Sequence, residues 1–497
     1  MRVELLDETI RDGQQSLWGM RMRAGMALPV AHLLDRTGFR VIDFAGSSMF
    51  EVLVKYCRED PWEGLDLLRG AIRRTPMRGG MRANAAVSFG VTPDALMDTW
   101  MRRLNEHGLR SFWIYDCLFG WPKMARLARV AKEYGSEVAG TVFFSLSPVH
   151  TDGYFAARAA EMAAVPEIDT ILLYDTAGVL DVERMRTLVP ALQAAASGKP
   201  LEFHSNNLMG TSGLAYVEAV QLGVTILHTA SRPMANGASV PSTESVVRNL
   251  SLMGHEHSVD TGLLAPVAEH FRAVGKAAGY PVDQVSEYDL FGAVHQIPGG
   301  MTGTLRNQLA QHGMSDRLDE VLTETAAVRR DFGYPIMATP FSQLVGTQAV
   351  LNVVAGERYA VVPDEVVAYA AGHYGTPPAP VDAHVLDRIM ASPRAAEVVA
   401  RPPEEPTIEE LRRHYGTGTD DDELILRALL PAEAVDAMRA AGPVRRDYPL
   451  SGSEVDQVRA LLAATGSPYL RIVTETMDLE LRKSSEVSGA GKPSRPV

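Results

Sequence analysis

The chain has 497 residues, of which 46% are hydrophobic and 22% charged, and its formal net charge is −13. This balance fits a globular protein with large cores, and the acidic excess, with both signs spread along the chain, argues against nucleic acid and anionic membrane surfaces, which need basic patches. The two cysteines, Cys57 and Cys117, exclude a disulfide framework, and the charged opening MRVELLDETIRDG is no signal peptide, so a cytoplasmic protein without a membrane span is expected.

Eight short apolar runs come first: VELLDET, VIDFAG, MRANAAVS, SFWIYD, VAGTVFFS, TILLYD, LEFHSN and TILHTAS. Each precedes a segment of helical periodicity, such as MFEVLVKYC or PDALMDTWMRRLNEHG. Eight equal βα units predict a (β/α)8 TIM barrel, with a doubly wound open sheet as the competitor. Asp7, Asp43, Asp116, Tyr174, Asp175, His204 and His228 fall near the C-terminal ends of these runs. Singly, any of them could cap a helix or satisfy a loop. Together they make the polar ring that a barrel active site needs.

From residue 301 helical patterns dominate, and the run RPPEEPT divides them from a last helical pair. The expected organisation is a catalytic barrel over 1–300 and a mainly helical domain over 301–475. A Ser-, Gly-, Lys- and Pro-rich tail over 476–497 is expected to be disordered.

Several segments carry a collinear likeness. They are DETIRDGQQSLWGMRMR from Asp7, RANAAVSFGVTPD from Arg82, SPVHT ending at Thr151, HQIPGG from His295, GYPIMATPFSQLVGTQAVLNVVAGERY and HYGTPPAPVD. This order resembles the carboxyltransferase family of biotin-dependent enzymes. The family includes the carboxyltransferase domain of pyruvate carboxylase, the oxaloacetate decarboxylase alpha subunit and the metal-containing transcarboxylase subunit. Neither an ATP-grasp region nor an Ala-Met-Lys-Met biotinyl segment occurs in the sequence. The resemblance therefore implies that biotin, if used, arrives on a separate carrier protein. It also implies a homodimer and a helical funnel over the barrel mouth.

Family members hold a divalent metal (Zn, Mn or Co) through an aspartate, a carboxylated lysine and a His-x-His pair. The resemblance puts Asp7, His204 and Asn206 on the aspartate and histidine positions, and Tyr174, in YDTAG, on the lysine position. A phenol with an ordinary pKa near ~10 and a neutral amide are weaker donors than the groups they replace. Two readings stay open: a metal kept with the help of waters, and a metal-free pocket of hydrogen-bonded side chains. Arg82 falls on the position that grips the substrate carboxylate, a task suited to a planar guanidinium. Arg11 and Gln15 fall on the RD-x-x-Q element that orients the enolate oxygen. Ala238 takes the place of the proton-shuttling threonine, which leaves Ser239 and Thr243 as stand-ins. His228 replaces a family aspartate and is either an acid–base group or a packed, hydrogen-bonded residue. Tyr174, Asn206, His228 and Ala238 lie on three consecutive units, as expected of a site rebuilt as a whole.

The expected activity is carboxyl transfer or decarboxylation on a small α-oxo acid through an enolate. A biotin-independent lyase or carbon–carbon bond-forming enzyme is the alternative, and a non-catalytic assembly subunit the second. A pocket collapsed around Tyr174 and Trp113 would favour the last.

Overall fold

The computed structural model describes residues 1–87, 90–299, 301, 305, 308–310, 313–450, 469–473 and 478–482. Eight parallel strands close into a barrel in sequence order: β1 (Glu4–Asp7), β2 (Val41–Gly46), β3 (Met77–Arg82), β4 (Ser111–Tyr115), β5 (Glu137–Phe143), β6 (Thr170–Asp175), β7 (Leu201–Ser205) and β8 (Ile226–Thr229). β1 pairs with both β2 and β8, which closes the ring and leaves no open edge. The open-sheet competitor is thereby excluded.

Helices follow the strands and start where the sequence supplies caps. Asp60, Thr151, Asp181 and Ser242 each accept a backbone N–H of the first turn of the helix they precede, and Pro61 occupies a first-turn position without an N–H to lose. The apolar faces of the helices pack on the barrel wall, burying Trp100, Leu127, Phe155 and Leu188.

The third strand lies upstream of its expected place. Propensity points to MRANAAVS; MRGGMR forms the strand, and residues 83–87 are loop. Two glycines hide the strand from a propensity reading, because glycine weakens strands in isolation. Here they make room. A Cβ on Gly80 would lie 2.3 Å from the Trp113 ring, and one on Gly79 would lie 2.7 Å from Leu109.

Strand register fixes which side chains fill the barrel. Leu6 pairs with His228, Asp43 with Arg78, Gly80 with Trp113, Arg82 with Tyr115, Phe143 with Tyr174 and Tyr174 with His204. Paired residues in parallel strands share a face, so this set points inward. Asp7 and Thr229, also paired, point outward to the helices.

Beyond the barrel come helices such as α1 (Leu318–Asp331) and α2 (Phe341–Ala355), and bonds from this region reach the C-terminal ends of the strands. Arg329 donates to the Leu146 carbonyl and the Ser145 hydroxyl, both at 2.8 Å. Thr176 donates to the Met337 carbonyl, and Asn84 to that of Tyr374. Met1–Tyr448 form one compact unit and Pro449–Val497 a second. In the second, β9 (Tyr469–Val473) and β10 (Asp478–Arg482) form an antiparallel pair. The helical pattern at 304–313 and the tail expected to be disordered over 476–497 both lie partly outside the described residues; within the tail, Asp478–Arg482 form the strand β10. Among the described residues, no helix is long and apolar enough to cross a membrane.

Candidate active site

Beyond β1 the chain makes one wide helical turn (Thr9–Gly13) and a short helix (Gln14–Trp18), which bring Asp12 and Gln15 over the barrel mouth. There a cavity of about 80 Å³ is lined by Asp12, Gln15, Ser48, Trp113, Tyr115, Phe143, Tyr174, Asn206 and Ala238. At roughly 10–15 Å³ per water, the space suits a few waters or a small organic acid. One wall is aromatic. Trp113 and Tyr115 stack at 4.8 Å, and Phe143 and Tyr174 continue the wall at 5.2 Å centroid spacing. The opposite wall is polar.

Asp12 is the acidic centre of that polar wall. It accepts from Ser239 Oγ at 2.8 Å, from Ser16 Oγ at 3.1 Å, and from Asn206 Nδ2 at 3.1 and 3.3 Å. His204 Nε2 faces it at 3.8 Å. Arg82, at the end of β3, donates to Ser48 Oγ at 3.0 Å and meets the Tyr115 hydroxyl, both on cavity-lining residues.

Of the expected site residues, Gln15, Tyr174 and Asn206 line the cavity, whereas Asp7, Arg11, Arg82, His204, His228 and Thr243 do not. Asp7 points out of the barrel, where its carboxylate accepts from Thr9 Oγ1 at 2.5 Å. Asp12 of the RD-x-x-Q element, and not Asp7, converges with His204 and Asn206. A strand alternates its faces, so the aspartate ending β1 falls on the wrong side of the wall. Thr243 also lies behind the wall, with its hydroxyl donating to Thr229 Oγ1 at 2.9 Å, so Ser239 is the hydroxyl nearer the site. Arg11 is buried beneath the cavity and is not among its lining residues. Its three nitrogens reach Asp43 (3.2 Å), the Tyr174 hydroxyl (3.2 Å) and Glu8 (2.7 Å), and its guanidinium lies 4.9 Å from the Trp113 ring. Buried carboxylates capture the guanidinium before a substrate can.

Below the cavity the barrel is filled by charge where aliphatic layers are usual. Arg78 grips Glu202 through two bonds of 2.6 and 3.0 Å. Glu202 Oε2 meets His228 Nε2 at 3.0 Å, and His228 Nδ1 meets Glu8 Oε1 at 2.7 Å. Glu8 then pairs with Arg11, and Arg11 with Asp43, which also accepts from Trp113 Nε1 at 2.9 Å. Basic and acidic groups alternate along this chain. Burial pushes the Glu202 carboxyl up, yet Arg78 and then His228 hold it well below the ordinary range. Burial opposes a charge on His228, but Glu202 and Glu8 raise its pKa. Sequence reasoning missed Glu8, Asp12 and Glu202. Glu8 and Asp12 both stood inside a quoted motif; Glu202 carries no signal beyond strand phase.

The family's metal centre does not fit this donor set. Asn206 Nδ2 lies 2.7 Å from the Ala238 carbonyl as well as against Asp12. Turning the amide to present oxygen as a ligand would set it against that carbonyl. The Tyr174 hydroxyl accepts from Arg11, and burial pushes its pKa far up, so it stays a neutral phenol. Of four ligand positions, only Asp12 and His204 offer metal-binding atoms.

Asp7 gives a pH test of the fold. Burial, opposed by the Thr9 hydroxyl, raises its pKa to about 7. Its contribution to stability is full below the unfolded value of ~3.9 and is lost as pH rises to about 7. Asp7→Asn is expected to flatten the stability curve across that window and to stabilise the protein at pH 8 by about 1–3 kcal/mol. Denaturant unfolding at pH 4 and pH 8 measures this; an unchanged slope assigns the titration to other groups.

Comparisons with known proteins agree with the geometry. A family model described as "Conserved carboxylase domain" matches residues 293–483. A pyruvate carboxylase subunit of Methanocaldococcus jannaschii is 32% identical, across 98% of this chain and 87% of that protein. The 2-oxoglutarate carboxylase large subunit of Hydrogenobacter thermophilus is 30% identical, across 88% of this chain and 68% of that protein. Among solved structures, the carboxyl transferase domain of Rhizobium etli pyruvate carboxylase, with pyruvate and biocytin, superposes with a TM-score of 0.81 at 23% identity. That match covers 90% of this chain and 78% of the other, and it supports the fold. With this barrel and these relatives, the chain belongs to the carboxyltransferase family of biotin-dependent carboxylases.

Proposed function

We propose that this chain is the carboxyltransferase-type unit of a biotin-dependent enzyme and acts on a small α-oxo acid through its enolate, by carboxyl transfer or decarboxylation. The observation that carries this reading is the cavity itself. It stays open, lined by Gln15, Asp12 and Tyr174 and with Arg82 bonded to the lining residues Ser48 and Tyr115, instead of collapsing around Tyr174 and Trp113. That openness argues against the assembly-subunit reading. Its relatives include enzymes named for pyruvate and for 2-oxoglutarate, which supports a 2-oxo acid substrate.

Arg82 would hold the substrate carboxylate by paired, charge-assisted bonds. Gln15 would donate to the carbonyl oxygen that becomes the enolate. Tyr174 takes over the electrophile's work. Its oxygen accepts from Arg11, so its own hydrogen is left for the enolate, and burial keeps that hydrogen in place at neutral pH. Arg11 is then a positioning residue acting through Tyr174. Ser239, held on Asp12, is the hydroxyl closest in role to the proton shuttle. Biotin would bring or accept the carboxyl group on a separate carrier chain in the cytoplasm, and the catalytic barrel would span 1–300, with the helical part over 301–475 assisting. A homodimer is part of this reading.

The reading is tested by incubating the protein with oxaloacetate and a biotinylated carrier domain or free biotin, and with pyruvate or 2-oxoglutarate and the carboxylated carrier. Loss of carboxylate from oxaloacetate that rises with the biotin species is expected. Decarboxylation indifferent to biotin would favour the lyase alternative, and no turnover with any of the acids would count against the proposal.

A further inference from the structure

One layer below the cavity, three buried donor atoms from three strand regions face a common point. His228 Nδ1 lies 2.7 Å from Glu8 Oε1 and 3.2 Å from His204 Nδ1, and the last two atoms are 3.7 Å apart. All three side chains are at most 1% exposed. We propose that Glu8, His204 and His228 form a buried, three-ligand divalent-metal site of the zinc type, which shares only His204 with the centre that the family resemblance implies.

The triangle has the right size. Zinc lies 2.0–2.2 Å from nitrogen and oxygen ligands, and a point roughly 2 Å from all three of these atoms exists. Two imidazoles and one carboxylate are a donor set that binds zinc and similar divalent ions. The surroundings are those of a ligand set. His228 Nε2 faces Glu202, itself gripped by Arg78, which holds the ring as carboxylate partners hold metal-bound histidines. Glu8 keeps its second oxygen on Arg11. His204 turns Nε2, its other nitrogen, towards Asp12. His228 and Glu8 are therefore each held by a group that does not itself bind the ion, while His204 Nε2 lies 3.8 Å from Asp12 without a hydrogen bond.

Without an ion the arrangement is less well satisfied. A protonated His228 serves Glu8 and Glu202 through its two N–H groups. The Nδ1 hydrogen is then directed at Glu8, and His204 Nδ1, 3.2 Å from His228 Nδ1, has the same Glu8 oxygen as its acceptor at 3.7 Å, so two nitrogens compete for one oxygen. The two histidines use their Nδ1 atoms, whereas a centre built on Asp12 would use His204 Nε2 from the opposite side of the ring. The two sites are thus separable by ligand count.

The test uses the full chain, unfolded in denaturant with chelator and refolded with or without zinc alone. About one zinc per chain is expected by elemental mass spectrometry after desalting, with a higher melting temperature for the zinc-refolded protein. Zinc-edge X-ray absorption should show two imidazole ligands, against one for a centre on Asp12, His204 and Asn206. His228→Gln should lose the metal and Asp12→Asn should keep it. Less than a tenth of a zinc per chain, a single imidazole in the absorption spectrum, or the reverse behaviour of the two variants overturns the proposal. The spectrum of the unsubstituted protein decides the matter even if His228→Gln does not fold.

Discussion

Arg82→Met is expected to lower kcat/KM for the 2-oxo acid by about 10²–10³-fold while leaving the circular dichroism spectrum and melting curve close to those of the unsubstituted protein. The guanidinium ends β3, is 2% exposed, and bonds Ser48 on the rim of the cavity. Losing a buried, charge-assisted partner of a carboxylate costs about 3–4 kcal/mol of binding, which is the stated fold-change. Methionine keeps the stem of the side chain and its packing. A loss carried mainly by KM would mean that the grip is equal in ground and transition states; a loss in kcat would mean that it tightens as the enolate forms. Unchanged turnover removes Arg82 from the site, and with it the orientation proposed for the substrate.

Arg78→Met should do the opposite, damaging the fold before the chemistry. Arg78 and Glu202 are both fully buried, and the pair is bidentate. Truncating one partner leaves the other a buried charge, at a cost of about 3–5 kcal/mol, a large share of the 5–15 kcal/mol that holds a typical domain together. Adding Glu202→Met to the same protein should recover much of that loss, because the penalty lies in the unpaired charge more than in the absent attraction. Guanidinium unfolding of the three proteins measures both effects. A loss below about 1 kcal/mol for Arg78→Met would mean that water or His228 compensates Glu202.

Much of the architecture was readable along the chain. Apolar runs such as TILLYD and LEFHSN are strands because their β-branched, aromatic and leucine side chains suit a wall buried on both faces. The eightfold rhythm made closure the expected outcome, and β1 on β8 completes it. The third strand was misplaced because its glycines serve the neighbouring Trp113, a relation no local propensity encodes. Arg82, Gln15, Tyr174, His204 and Asn206 were found because they sit at strand ends or in motifs, and the structure gathers them at one mouth.

The sequence by itself determined the barrel, its family and the chemical character of the residues at its mouth. Periodicity and strand-end position are properties of a single segment and can be read from it. Only the tertiary structure decided that Asp12 and not Asp7 faces His204, that Thr243 stands behind the wall, and that Arg11 is spent on Glu8, Asp43 and Tyr174. Each of those outcomes depends on the phase of a pleat or on partners from distant strands. One residue of phase moves a side chain from the cavity to the helix layer, and the composition of the strand stays the same.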